Sequence, residues 1–264
     1  MKTAQTARTS KVRDAPFAIF VATQAEMKPL ATFLRPTCRS AHRSDSIVRV
    51  EVDGRNLLLA RTGMGPDNAE TAAHRLFEEM PIAAALSLGV AGGLSSQLQT
   101  GDLIVGDRVI LRREKGSRLE SFPCDSGLQD VAMTIIRQWG SRYSLGPILT
   151  VDRIVLTVEE KRRLAAESGA IALDMESAAI ASAASACSVP FLALRGVLDP
   201  IHEDLGIGFD QFLNTEGEPH LPRLIRYLIT HPFTFPTLVR LGLRTKAICA
   251  RLGLLLQELS STLS

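Results

Sequence analysis

Short apolar runs alternate along this chain with longer segments of helical periodicity. Phe17 to Ala22 is continuously apolar and rich in β-formers, which predicts a buried strand. Gln24 to Leu34 reads as a helix with Glu26 near its start, closed by Pro36. Ile47 to Val52 alternates, Asp53-Gly54 is a turn pair, and Asn56 to Ala60 follows, so a hairpin is expected. Thr62 to Pro66 is a tight turn into a helix from Asp67 to Glu79. Ala83 to Leu88 is a further apolar strand, running into a glycine-rich loop from Gly89 to Gly93. Leu103 to Leu111 is β-rich, Asp125 to Trp139 is helical, and Ile148 to Val151 and Ile154 to Leu156 are β-like. Val158 to Ser168 is a charged helix stopped by Gly169.

Two apolar runs then carry the chemistry. Ala170 to Leu173 ends in Asp174, Met175 and Glu176, and an Ala/Ser-rich helix follows. Phe191 to Leu194 ends in Arg195 and, four residues later, Asp199. The alternation of strand and helix predicts an α/β fold, three-layered α/β/α with a mixed, mostly parallel central sheet. Both acidic ends then fall at the carboxyl edge of the sheet, where such folds bind ligands.

Beyond Asp199 the pattern changes. Pro200 to Gly208 is a loop, Phe209 to Leu213 starts a short helix, and Thr215 to Pro219 is polar. Pro222 to Ile229 and Pro236 to Leu259 read as helices. The expected organisation is a disordered basic tail over 1–15, a catalytic domain over 16–214 and a helical extension packed on it over 215–264. Arg240, Arg244 and Arg251 share one face of the last helix, and Leu238, Leu241, Leu252, Leu255, Leu256 and Leu259 supply apolar surface. Such a helix packs on its domain or a second subunit, or makes peripheral contact with an anionic membrane surface.

Composition narrows the classes. The 264 residues are 45% hydrophobic and 22% charged, with a net charge of +2 and only 5% aromatic. Neither an electrostatic footprint nor stacking platforms for nucleic acid are present. Cys38, Cys124, Cys187 and Cys249 form no C-x-x-C pair, and the five histidines have no zinc spacing, so no metal and no cofactor are expected. Cys187, in an apolar helix, reads as a small buried hydrophobe. The thiol pattern suits a reducing cytoplasm. No run reaches the roughly 18 apolar residues a membrane span needs.

Each candidate has a structural alternative. Gly63-Met64-Gly65 opens a helix after a strand, but Asn68 stands at the third glycine position of a dinucleotide fingerprint, and no Gly-Lys follows as in a P-loop. A plain turn explains it equally. Three glycines in Gly89 to Gly93 exceed what a turn needs and fit a ligand-lining backbone. Asp174 could cap a helix, Glu176 could answer a helix dipole, and Asp199 before Pro200 could form a turn. Three acids at two adjacent strand ends with Arg195 between them point instead to a site.

The segments TGMGPDNA, SLGVAGGL, GDLIVGD, LDMESAAIA and Arg195 to Asp199 resemble the nucleoside phosphorylase and nucleosidase superfamily over Phe17 to Leu213. Within it they are similar to the branch of 5′-methylthioadenosine/S-adenosylhomocysteine nucleosidases, and more loosely to a hopanoid-associated branch acting on adenosylhopane. The resemblance implies that Asp199 protonates N7 of the leaving purine, Glu176 holds the ribosyl hydroxyls, and Met175 packs on the sugar. It implies that Glu26 activates water, with Arg195 beside it. Ala91 and Gly92 then line base and sugar, Ile154 and Val155 contact the purine, and Gly63 lies in the ligand loop. It further implies a homodimer and a nucleoside substrate. Leu198 departs from the serine expected before the aspartate, and Ile154 from a stacking aromatic. No G-D-P-x-R segment follows the first strand, which favours water over phosphate, although Arg61 and Arg195 keep a phosphorylase open. A nucleoside sensor without turnover is the alternative from another class, and a dinucleotide-dependent oxidoreductase fits least.

Overall fold

The computed structural model of the chain describes residues 15–34, 47–113, 119–205 and 234–263. Among these, nine strands form one mixed sheet with helices packed against it. Of the basic tail expected over 1–15, residues 1–14 lie outside the described residues and Ala15 is buried; the short helices expected at 209–213 and 222–229, and Cys38, also lie outside them.

β1 (Phe17–Val21) is fully buried, as its unbroken apolar run requires. It leads through Thr23 into α1 (Gln24–Phe33). β2 (Ile47–Val52) and β3 (Arg55–Arg61) pair antiparallel around Asp53 and Gly54, whose φ angles of 48° and 82° give the twisted turn such hairpins favour. α2 (Pro66–Glu79) follows with proline in its first turn.

β4 (Ala84–Gly93) is longer than its apolar run indicated: the glycine-rich segment Gly89 to Gly93 is strand, not loop. β5 (Leu103–Leu111) is next, then β6 (Glu120–Pro123), an edge strand the apolar pattern did not reveal because its residues are largely exposed. α3 (Ser126–Gln138) is capped by Asp125, and β7 (Tyr143–Thr150) stops before Ile154 to Leu156, which is irregular backbone rather than a second β segment. α4 (Val158–Ser168) ends at Gly169 in the left-handed conformation. β8 (Ala172–Asp174), α5 (Ser177–Ala186) and β9 (Phe191–Asp199) complete the domain. Cys187 is exposed at the end of α5, beyond its buried alanine face, and not a buried hydrophobe.

Five strand pairings are parallel (β1 with β3 and β4, β4 with β9, β5 with β7, β7 with β8) and four antiparallel. The sheet also closes on itself. β4 pairs with β9 as far as Gly92 and with β8 at Gly92 and Gly93, while β9 returns to β5, and β5 joins β8 through β7. The ends of β8 and β9 are therefore not neighbours; Gly92 stands between them, opposite Leu173 on one side and Asp199 on the other.

α6 (Phe235–Thr262) lies against α1, α3 and β9. Leu252, Leu255, Leu256 and Leu259 are buried in the core it joins, each contributing about 1.5–3 kcal/mol of transfer free energy, and Leu241 is buried as well. The approach is close: a Cβ on Gly196 of β9 would collide with Cγ2 of Ile248, and one on Gly253 would stand 2.6 Å from the Leu30 carbonyl. The arginines of α6 engage the domain as well. Arg240 and Arg244 both pair with Glu203, and Arg251 donates to the Gly101 carbonyl at 3.0 Å. No helix among the described residues is long and apolar enough to cross a membrane.

Candidate active site

Glu26 is placed by the capping of α1. Thr23 is the N-cap and Glu26 the third helical residue, and each side chain satisfies the other's backbone. One Glu26 oxygen, Oε2, accepts from the Thr23 amide at 3.0 Å and its hydroxyl at 3.1 Å. The other, Oε1, accepts from the Val90 amide in β4 at 3.1 Å. A local helix-start motif thus ties this carboxylate to the sheet edge.

Gly89 makes room for it. A Cβ there would lie 2.5 Å from Oε1 of Glu26 and 2.9 Å from a terminal nitrogen of Arg195, so only glycine lets both side chains meet over this strand. Arg195 is 2% exposed. Its Nε donates to Asp174 at 2.8 Å, and its Nη2 donates to the hydroxyls of Ser87 at 2.7 Å and Ser177 at 2.9 Å. Burial works against its charge, but Asp174, Glu176 and Glu26 outweigh it and hold the guanidinium pKa above its ordinary value.

Asp174 does cap α5, accepting from the amides of Glu176 and Ser177. It also accepts from Thr150 Oγ1 at 2.6 Å and pairs with Arg195, so it belongs to a buried polar network as well as to the helix. Every member of that network has a partner, which is what makes burying it tolerable. Glu176 stands at the N-cap with its side chain turned away from its own helix, accepting from the Gly65 amide at 3.0 Å. Burial first, then the nearby Asp174 charge, push the Glu176 carboxyl up to about 8 against the pull of Arg195.

On the other side of Gly92 is Asp199, 3% exposed. Burial raises its carboxyl to about 6, although Lys161 pulls the other way. Lys161, fully buried on α4, stands 2.5 Å from Oδ2 of Asp199. It is the site residue that pattern reasoning missed. In the run Glu159-Glu160-Lys161-Arg162-Arg163 nothing but its position three residues before Leu164, on the same inward face, distinguishes it.

The remaining sequence candidates divide. Met175 is half-buried between Asp174 and Glu176, and Ala91 and Gly92 are buried in β4 between the two acidic ends. Gly63 uses its amide on the Ala22 carbonyl at 3.0 Å; in this turn the amide that meets a site residue belongs to Gly65. Ile154 is half-buried. Val155 lines a cleft of about 220 Å³ with Arg112, Arg113, Arg153 and Arg163, each of which is paired with a nearby acid. Among the described residues no group of His, Cys, Asp and Glu could hold a metal ion.

This arrangement is chemically divided. One end holds two carboxyl side chains, Glu26 and Glu176, near the buried guanidinium of Arg195. The other holds a carboxyl whose proton is available near neutrality. Ala91 and Gly92 of β4 stand between them in the sheet.

Comparison with known proteins places the chain. It is 27% identical over 188 residues to 5′-methylthioadenosine/S-adenosylhomocysteine nucleosidase of Aeromonas salmonicida, a match covering 66% of this chain and 82% of that protein. It is 25% identical over 207 residues to aminodeoxyfutalosine nucleosidase of Campylobacter jejuni, covering 74% and 90%. In fold it is similar to the crystal structure of 5′-methylthioadenosine/S-adenosylhomocysteine nucleosidase from Neisseria meningitidis in complex with methylthio-immucillin-A, with a TM-score of 0.72 at 20% identity, covering 94% of this chain and 99% of that one. The family model of the phosphorylase superfamily matches residues 16–229, and the chain belongs to that superfamily.

Proposed function

We propose that this chain hydrolyses the N-glycosidic bond of an adenosyl nucleoside, releasing adenine. The nucleosidase names of its relatives support the reaction class. The observation that carries the choice of water is the placement of Glu26: its carboxylate lies beside Arg195 and is fixed by the Val90 amide. A phosphate at this end would meet that negative charge, and Arg195 is already engaged with Asp174, Ser87 and Ser177. A water molecule there would instead find a base.

In this reading the bond from C1′ to N9 breaks, its electron pair goes to the purine, and Asp199 gives its proton to N7. General acid catalysis of this kind is worth ~10²–10⁴-fold. Glu176 accepts from the ribosyl hydroxyls; these donors favour its ionised form, and the bonds strengthen as the sugar becomes cationic. Met175 packs on the sugar, and Ala91, Gly92, Ile154 and Val155 line the base. Water adds its oxygen to C1′ and its proton passes to Glu26.

The test is a panel of adenosyl nucleosides differing at the 5′ position, from methylthio and homocysteinyl to the triterpenoid of adenosylhopane, each with and without phosphate. Adenine release without phosphate is the expected result. A sugar 1-phosphate formed only with phosphate would replace hydrolysis by phosphorolysis. Tight adenine binding without release from any substrate would make the chain a sensor.

A further inference from the structure

Lys161 is fully buried, and its three ammonium hydrogens have three acceptors: Oδ2 of Asp199 at 2.5 Å, the Pro200 carbonyl at 3.0 Å and the Glu203 carbonyl at 2.6 Å. A cation removed from water is costly unless its donors are satisfied and a counter-charge is near. Here the counter-charge is the acid at the end of β9. A staple for the loop after Asp199 would need only the two carbonyls; the third contact falls on the carboxyl. Residue 198 is leucine and offers no side-chain donor, while its carbonyl accepts from Arg244. The charged groups facing Asp199 are thus Lys161 from α4, Glu203 from the following loop and Arg244 from α6.

We propose that Lys161 is the positioning residue for Asp199, holding Oδ2 and leaving Oδ1 to present the proton, and that its ammonium neutralises the carboxylate formed when that proton leaves. This rests on the hydrolytic reading above. As C1′–N9 breaks and its electrons enter the purine, the Oδ1 proton passes to N7. Asp199 becomes a carboxylate paired with Lys161, which keeps all its own protons. After adenine departs, Asp199 recovers a proton from solvent. Lys161 therefore makes Asp199 a stronger acid, at the cost of a smaller protonated fraction at rest.

The experiment is a ¹³C-carboxyl NMR titration of Asp199 in the full chain. In Lys161→Gln the Asp199 midpoint is expected to rise by about one to three pH units, the size of a close cation's effect on a carboxylate. In Lys161→Arg, which keeps the charge, it stays near the wild-type value. The alkaline limb of kcat moves up with it in Lys161→Gln alone. A loop staple would lower stability in both variants without moving the titration, and an unmoved midpoint in folded Lys161→Gln overturns the proposal. Should that variant not fold, the isosteric Asp199→Asn is read at the other partner. The Lys161 Nζ titration falls if the pair is coupled, and an unchanged value refutes it. Neither titration needs turnover, so absence of adenine release would count against the hydrolytic reading alone.

Discussion

Replacing Glu176 by glutamine should disable the enzyme and stabilise the protein, and the two effects have one cause. The carboxyl is buried beside Asp174 and within the field of Glu26, and its proton is held up to about 8 against an ordinary 4.5. Below pH 4.5 the group is protonated whether the chain is folded or not, and its ionisation has no bearing on stability. As pH rises from 4.5 to about 8 the unfolded chain ionises it while the folded protein keeps the proton, so stability falls across that window. At about 1.4 kcal/mol per pH unit a gap of this size is worth several kcal/mol, and about 2–4 kcal/mol is the expected cost at pH 9. Glutamine keeps the acceptor for the Gly65 amide and removes the charge. Urea unfolding of wild type and Glu176→Gln at pH 5, 7 and 9 should show little difference at pH 5 and a growing advantage for the variant above it. Its adenine release should fall ~10²–10³-fold, the usual loss when a group that stabilises transition-state charge is removed. Equal stability at pH 5 and 9, or a less stable variant at pH 9, would refute the argument.

Four further substitutions probe the acid, the close approach at β4 and the packing of α6. Asp199→Asn should cut adenine release ~10²–10⁴-fold while circular dichroism stays that of the wild type; near-normal turnover would remove Asp199 from the acid role. Gly89→Ala puts a methyl group 2.5 Å from Oε1 of Glu26 and 2.9 Å from Arg195; both contacts are ends of long side chains, so stability should change modestly while displacement by about 1 Å costs activity ~10²-fold. Gly196→Ala should destabilise by about 1–3 kcal/mol in urea unfolding, because Ile248 of α6 occupies that space. Ile248→Ala in the same chain should recover part of the loss, and strictly additive effects would mean that α6 does not pack on β9 as described.

Much of the site was legible because the acids sit where strands end. Asp174, Glu176 and Asp199 close apolar runs, and Glu26 follows the first one by a helix-start motif, but alternation of strand and helix did not predict how they meet: β8 runs antiparallel to β4 while β9 runs parallel to it, so their acids come together along β4 and not at one carboxyl edge. The Asp53-Gly54 turn and the Gly169 stop were equally local. What sequence could not show depends on closure of the sheet. β9 runs on from Leu194 through Arg195 to Asp199 because it pairs with both β4 and β5, a long-range condition with no trace in its own polar residues. The three glycines of β4 signalled close approach, but what Gly89 admits is the protein's own Glu26 and Arg195. Lys161 was hidden among charged neighbours on a helix, since burial of a lysine is set by its counter-charge and not by its own chemistry. The leucines of α6 fit several surfaces in sequence; in the structure the helix packs against α1 and β9, a long-range contact its own pattern does not specify.

The central claim is that water, guided by Glu26, takes the sugar while Asp199 serves the leaving base. The most direct measurement is a single-turnover reaction of 5′-methylthioadenosine in H₂¹⁸O, with and without phosphate, followed by mass analysis of the sugar product. Adenine and a free sugar carrying one ¹⁸O at C1′ are expected, at a rate indifferent to phosphate. An unlabelled sugar 1-phosphate, formed only when phosphate is present, would contradict it.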